Sequence, residues 1–261
     1  MIRVGIGGWN FAPWRGTFYP KGLRQADELR YAGEHLTTIE INGTFYRTQS
    51  AASFGKWRDE TPDDFVFSVK GHRAVVNGRV LADAGDAIAW FYGSGILALG
   101  DKLGPVLWQF APYRKFDPAD FGAFLALLPK EREGRRMRHV VEVRNESFLV
   151  PEFVDLLRRH EVAVVYADSD DYPAIADVTA PFAYMRLQRT AEDIDTGYAS
   201  ADLDRWADRA SAFAAGRAPE DLVRFHPDPP PEVPRDVYVY MIAGAKVRAP
   251  AAAMAMIERV G

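Results

Sequence analysis

The chain has 261 residues, 26% of them charged, a formal net charge of −4 and no cysteine. The lack of cysteine excludes disulfides, thiolate catalysis and cysteine-ligated zinc or iron–sulfur centres. A pI near 5.8 excludes a global attraction to nucleic acid or anionic membrane, so an anionic partner has to be met by a local basic cluster. The most apolar stretch, Ala87 to Gly100, is too short to span a bilayer, and "MIRVGIGGW" lacks the basic and apolar regions of a signal peptide. A cytoplasmic location with no membrane association is therefore expected.

Taken in order, short β-branched runs predict strands at Ile2–Trp9, Thr37–Asn42, Phe65–His72, Pro105–Phe110, His139–Asn145, Ala163–Ser169, Phe182–Gln188 and Asp236–Ala243. Between them, apolar residues at helical spacing predict helices at Asp27–His35, Ser50–Glu60, Asp83–Asp101, Pro118–Leu128, Pro151–His160 and Ala201–Ala215, and Pro250–Arg259 follows the last strand. Strands alternating with helices imply a parallel sheet. Eight such strands in this length favour a single TIM-like (β/α)8 barrel domain over residues 1–261, rather than a doubly wound sheet. "GIGG" at Gly5–Gly8 does not complete G-x-G-x-x-G, and its glycines are expected to make room in a crowded barrel. The basic run Lys130–Arg138, "KEREGRRMR", reads as a solvated loop and helix end, and the Pro-rich His226–Pro234 as a stiff connection into the last strand.

In a barrel one face of every strand points into the lumen. Two-residue alternation puts Glu142 with Arg144, Glu40 with Asn42, and Lys70 with Ser68 and His72 on shared faces; Gln109, Asp168 with Tyr166, and Arg186 with Tyr184 and Gln188 follow the same pattern. These residues sit towards the C-terminal ends of their strands, where barrel enzymes build active sites. Trp9 and Tyr19 in the aromatic first loop, and Tyr46, are candidates to wall a pocket. The plain structural alternative is a plugged core in which the acids neutralise the bases.

The motifs "GGWNFAPWRGTFYP", "IEINGTFYR", "FVFSVK", "LWQFAP" and "VVEVRNESF" together resemble the YecE-like family, domain of unknown function 72, over nearly the whole chain. The resemblance implies a TIM-like barrel and names no reaction. It maps onto Trp9, Trp14, Gly16, Phe18, Tyr19, Pro20, Glu40, Asn42, Thr44, Phe45, Tyr46, Lys70, Gln109, Glu142, Arg144 and Tyr198. The chain departs from the pattern at Gln188, where relatives carry histidine, and at Ile242 and Ala243, where an Asn pair is usual.

The expected function is an enzyme acting on a small anionic or polyhydroxylated substrate by general acid–base catalysis. Glu142, Glu40, Lys70 and Asp168 are the candidate catalytic residues; Trp9, Tyr19, Asn42, Tyr46, His72, Gln109, Arg144 and Arg186 are the candidate substrate-binding ones. No metal or cofactor is expected, because the cations on the same faces oppose a metal. The alternatives are a noncatalytic ligand-binding or scaffold barrel and a glycosidase-like hydrolase, and a nucleic-acid partner is disfavoured by the acidic pI. The polar connection Arg189–Ser200 is a candidate lid.

Overall fold

The computed structural model describes residues 1–261 as an α/β barrel of eight parallel strands with helices outside. The strands are β1 (Ile2–Gly7), β2 (Thr38–Ile41), β3 (Val66–Lys70), β4 (Leu103–Gln109), β5 (His139–Glu142), β6 (Ala163–Asp168), β7 (Phe182–Leu187) and β8 (Asp236–Met241). Each pairs with its neighbours in sequence, and β8 returns to β1 with Gly5 opposite Tyr240, so no sheet edge is left open. The helices are α1 (Glu28–His35), α2 (Ala51–Asp59), α3 (Arg73–Val76), α4 (Gly85–Gly93), α5 (Pro118–Leu127), α6 (Pro151–His160), α7 (Ser200–Ala214) and α8 (Ala249–Val260). No helix is long and apolar enough to cross a membrane.

Local chemistry sets several boundaries. Ser50 caps α2 by accepting from the Ser53 N–H, Asp117 caps α5 by accepting from Ala119 and Asp120, and prolines occupy the first turns of α5, α6 and α8. The single helix predicted over Asp83–Asp101 is two: α4 ends at Gly93, and a 3-10 run Ile96–Lys102 follows Gly95. Gly95 has φ +111°, and a β-carbon there would lie 2.5 Å from the Ala51 amide, so the glycine both breaks the helix and lets α2 approach. The run "KEREGRRMR" is not a loop and helix end but a hairpin, Glu131–Arg132 against Arg135–Arg136, turning through Glu133 and Gly134, both at positive φ. Its turn backbone, rather than its charge, decides the fold.

The core has two parts. A large outer cluster joins the outward faces of the strands to the helices, and a small inner cluster of Leu107, Val140, Ala163, Val165, Ala167, Phe182, Tyr184, Tyr238 and Tyr240 fills the lumen. Three tyrosines from β7 and β8 demand space from their neighbours. β6 concedes it with alanines, and β1 with Gly5, whose added β-carbon would lie 1.8 Å from the Thr38 carbonyl oxygen. That contact involves backbone and cannot be relieved by a side-chain rotation. Gly5→Ala should therefore destabilise the protein by more than about 3 kcal/mol, measured by urea unfolding; a loss within the roughly 0.5–3 kcal/mol of an ordinary substitution would mean that β1 is not tightly seated on β2.

Candidate functional site

The barrel register fixes which side chains reach the mouth. Tyr184 and Arg186 of β7 stand beside Val165 and Ala167 of β6, while Glu40 stands beside Ser68 and Gln109 beside Glu142. Lumen-facing positions at the C-terminal end thus bring Glu40, Lys70, Gln109, Glu142 and Arg186 together. Arg144, two residues beyond Glu142 on the same face, closes over them.

Arg186 lies at the centre, 3% exposed. Its guanidinium donates to Glu142 Oε2 and, at 3.1 Å, to Glu40 Oε1, joining strands two and five across the lumen. Glu40 Oε2 accepts from the Tyr184 hydroxyl at 2.6 Å. Glu142 Oε2 also accepts from Gln109 Nε2 at 3.0 Å, and its Oε1 accepts from Arg144 Nε at 2.8 Å. Gln109 Oε1 in turn accepts from Lys70 Nζ at 2.7 Å. Arg144 stacks on Tyr172, 4.1 Å from the ring centre, and Lys70 lies 4.3 Å from the centre of Phe45.

Two carboxylates face three cations in this network. Burial disfavours the Glu142 anion, but Arg186, Arg144 and the Gln109 hydrogen bond outweigh it and hold the carboxyl at about 2. Burial and the charge of Arg186 act together on Lys70, bringing it from 10.5 down to about 8. The protonated Lys70 is thus the surplus charge of the cluster, and its proton is the loosest in it.

Other expected members are placed differently. Asp168 does not face the lumen: with Val165 and Ala167 inside, Tyr166 and Asp168 point outward, where Asp168 accepts from the Tyr198 hydroxyl at 2.9 Å and pairs with Arg189 Nε at 2.9 Å. The physical reason is register: Val165 pairs with Tyr184 and Ala167 with Arg186, so they share the lumen face and leave Tyr166 and Asp168 outside. Tyr19 is buried among Trp14, Phe18 and Tyr31, and its hydroxyl donates to the Trp9 carbonyl at 2.5 Å, so it supports the first loop rather than walling a pocket. Trp9 leans outward onto Trp57, ring centres 4.9 Å apart. Asn42 donates to the Glu40 carbonyl at 3.3 Å. His72 caps α3 through Nδ1, accepting from Ala74, and its Nε2 lies 3.3 Å from the carbonyl of Tyr46, a residue 68% exposed. Tyr184, Phe45 and Tyr172 were not singled out as site residues. The first carries lumen parity and a hydroxyl, and the other two lie in loops that follow β2 and β6 at the mouth.

The departures in sequence have structural counterparts. Gln188 continues the face of Arg186, and its Nε2 is buried without a hydrogen-bond partner, as is Arg186 Nε. Ile242 packs beside Gly7, and Ala243 adopts φ +66°, a conformation that asparagine takes more readily than alanine. The expected lid is pinned: Arg189 and Tyr198 hold Asp168, the Ala191 N–H donates to the Gly197 carbonyl at 2.7 Å, and Arg248 donates to the Glu192 carbonyl at 2.9 Å.

The family model described as "Protein of unknown function DUF72" matches residues 3–261. Among curated proteins, the chain is similar to the UPF0759 protein YunF of Bacillus subtilis, 26% identical over 160 residues that make up 59% of this chain and 55% of the relative. The UPF0759 protein YecE of Escherichia coli is 26% identical over 156 residues, 57% of this chain and 50% of the relative. The chain thus spans about half the length of the curated relatives it matches. Among solved structures, a DUF72 family protein from Thermotoga maritima aligns over 99% of this chain and 98% of its own with a TM-score of 0.72 at 22% identity. Another from Enterococcus faecalis aligns over 100% and 95%, with a TM-score of 0.74 at 17% identity. Both share the barrel.

Glu142 accepts from three side chains, so removing its charge leaves two guanidinium groups under-compensated. Glu142→Gln should cost about 3–5 kcal/mol at neutral pH, the scale for breaking a buried ion pair. The folded carboxyl titrates near 2 against an ordinary 4.5, so its stabilisation is complete above pH 4.5 and is lost as pH falls towards 2. Denaturant unfolding of wild type and variant at neutral and acid pH tests this; a variant equal to wild type at pH 7 would contradict it.

Proposed function

The chain belongs to the DUF72 family, proteins of unknown function, and from the chemistry of its barrel mouth we propose that it is an enzyme acting on a small anionic or polyhydroxylated molecule, with Lys70 supplying the proton. One observation carries this reading: the mouth gathers more donors than acceptors. Arg186 Nε and Gln188 Nε2 have no partner, Lys70 uses one of its three protons in a hydrogen bond, and three cations meet two carboxylates. Buried donors without acceptors cost about 1–3 kcal/mol each, so an acceptor-rich ligand such as a phosphate or sugar hydroxyls would satisfy them. Arg144, partly exposed beside Tyr172, offers the fork suited to such an anion.

Glu40 and Glu142 act as fixed counter-charges in this reading, not as proton carriers. Each of their oxygens already accepts a hydrogen bond from within the barrel, and the Glu142 carboxyl, held near 2, gives no useful acid at neutral pH. The same occupancy weighs against a glycosidase, whose two carboxyl groups must be free to protonate and to attack. Lys70, near 8, is poised for proton transfer, and a bound anion strengthens its hold on the proton. It then serves as general acid towards the bound molecule. Asp168, in its separate outward cluster, has no part in the step.

A second reading, a binding barrel without turnover, is favoured by Ile242, which sets an apolar side chain beside Gly7 at the mouth. Titration calorimetry against inorganic phosphate and a set of phosphorylated sugars, with wild type, Arg144→Ala and Lys70→Met, separates the two. Binding in the millimolar range or tighter, weakened at least about tenfold by Arg144→Ala, supports the site. Consumption of the ligand by wild type but not by Lys70→Met supports the enzyme; unchanged ligand supports the binder. Failure of every phosphorylated probe to bind at millimolar concentration would overturn both.

A further inference from the structure

At the opposite, N-terminal end of the barrel a cleft of about 640 Å³ opens between the end of α5, the hairpin, the end of α6 and the start of β7. This is within the size range of small-molecule sites. Its lining includes the apolar Leu125, Leu128, Met137, Val162 and Phe182, largely buried and reaching the cleft by their edges. Its rim is basic: Lys130, Arg136, Arg138, Arg159 and His160 come from three separate segments, and Glu161 is the one acid among the lining residues.

The charges there are unequally satisfied. Arg136 pairs with Glu161 at 3.0 Å, and Arg138 pairs with Asp236 at 2.8 Å. Lys130 and Arg159 make neither an ion pair nor a side-chain hydrogen bond. Partial burial, and after it the charges of Lys130 and Arg159, hold the His160 imidazole below the ordinary 6.5. The other histidine lining the cleft is committed elsewhere: Trp108 Nε1–H donates to His139 Nδ1 at 3.1 Å, so His139 Nε2 carries the hydrogen and donates to the Pro129 carbonyl at 2.8 Å. The negative end of the α6 dipole accounts for basic residues on that helix's last turn. It accounts for neither Lys130, which arrives from another segment, nor the apolar part of the lining.

We infer that this cleft is a second anion site, built for a small organic phosphate whose phosphoryl group meets Lys130, Arg159 and His160 and whose apolar or aromatic body lies on Leu125, Leu128 and Met137. The site lies at the far end of the barrel from Lys70 and stands whether or not the mouth binds anions. An anion there offsets the positive charge that Lys130 and Arg159 bring to His160 and favours its protonated imidazole, so binding takes up a proton as pH falls through the histidine range. The groups facing His160 in that process are Lys130, Arg159, Glu161, Arg136 and Arg138 around the cleft.

The test uses adenosine monophosphate and inorganic phosphate as probes, with calorimetry at low salt on the whole chain. In an Arg144→Ala background, where phosphate binding at the mouth is weakened, the protein should bind adenosine monophosphate at least about tenfold more tightly than phosphate, because the apolar lining of the cleft contributes only to the former. Lys130→Gln with Arg159→Gln, both exposed positions where the fold has little at stake, should weaken binding at least about tenfold. In a histidine-labelled sample the His160 resonance should titrate at higher pH once the nucleotide is present. Absence of nucleotide binding in the Arg144→Ala background, binding there that is indifferent to the double substitution, equal affinity for the two probes, or an unmoved His160 would each overturn the inference.

Discussion

Arg186 joined to Glu40 on one side and to Glu142 on the other is the interaction on which the mouth depends. A guanidinium this deeply buried is tolerable only because two carboxylates flank it, and neither carboxylate is tolerable without it. The bridge ties β2, β5 and β7 across the lumen, and Gln109, Lys70, Tyr184 and Arg144 hang from it by hydrogen bonds. The positions of all these groups are therefore coupled. Lengthening or neutralising one member alters the charge balance felt by the rest, and the effect falls most heavily on Lys70, which has the least compensated charge.

The barrel below makes this arrangement affordable in space. Tyr184, Tyr238 and Tyr240 fill the lumen beneath the charged layer, and their hydroxyls are themselves anchored: Tyr184 to Glu40 and Ser68, Tyr240 to Thr38. Aromatic bulk from two strands is balanced by Gly5 on β1 and by Ala163 and Ala167 on β6. The polar layer therefore rests on a rigid support, and a preorganised set of donors needs such a support if it is to keep its geometry while unliganded.

Much of this was legible from alternation alone. Short β-branched runs at regular intervals define the eight strands, and two-residue parity on β2, β3, β4, β5 and β7 correctly groups Glu40, Lys70, Gln109, Glu142, Arg144 and Arg186. Parity fails on β6 because it says which residues share a face, not which face is inward. Placing Asp168 inside rests on polar residues seeking the mouth, whereas the register with β7 puts Val165 beside Tyr184 and Ala167 beside Arg186 on the lumen face. Tyr19 misled for a related reason: an aromatic in a loop can pack on the loop itself. The hairpin within "KEREGRRMR" depends on positive φ at Glu133 and Gly134, which charge patterning does not register. The basic residues flanking that hairpin are the ones that line the far cleft.

The central claim is that the mouth carries one cation more than its carboxylates balance and that Lys70 holds the surplus. Its most direct test is the titration of Lys70 by NMR on lysine-labelled protein, assigned with Lys70→Arg, in the absence and presence of inorganic phosphate. The account predicts an ammonium that loses its proton near pH 8 in the free protein, well below the ordinary 10.5, and at distinctly higher pH once phosphate neutralises the excess. A Lys70 that titrates at its ordinary value, or whose titration is indifferent to the anion, would contradict it.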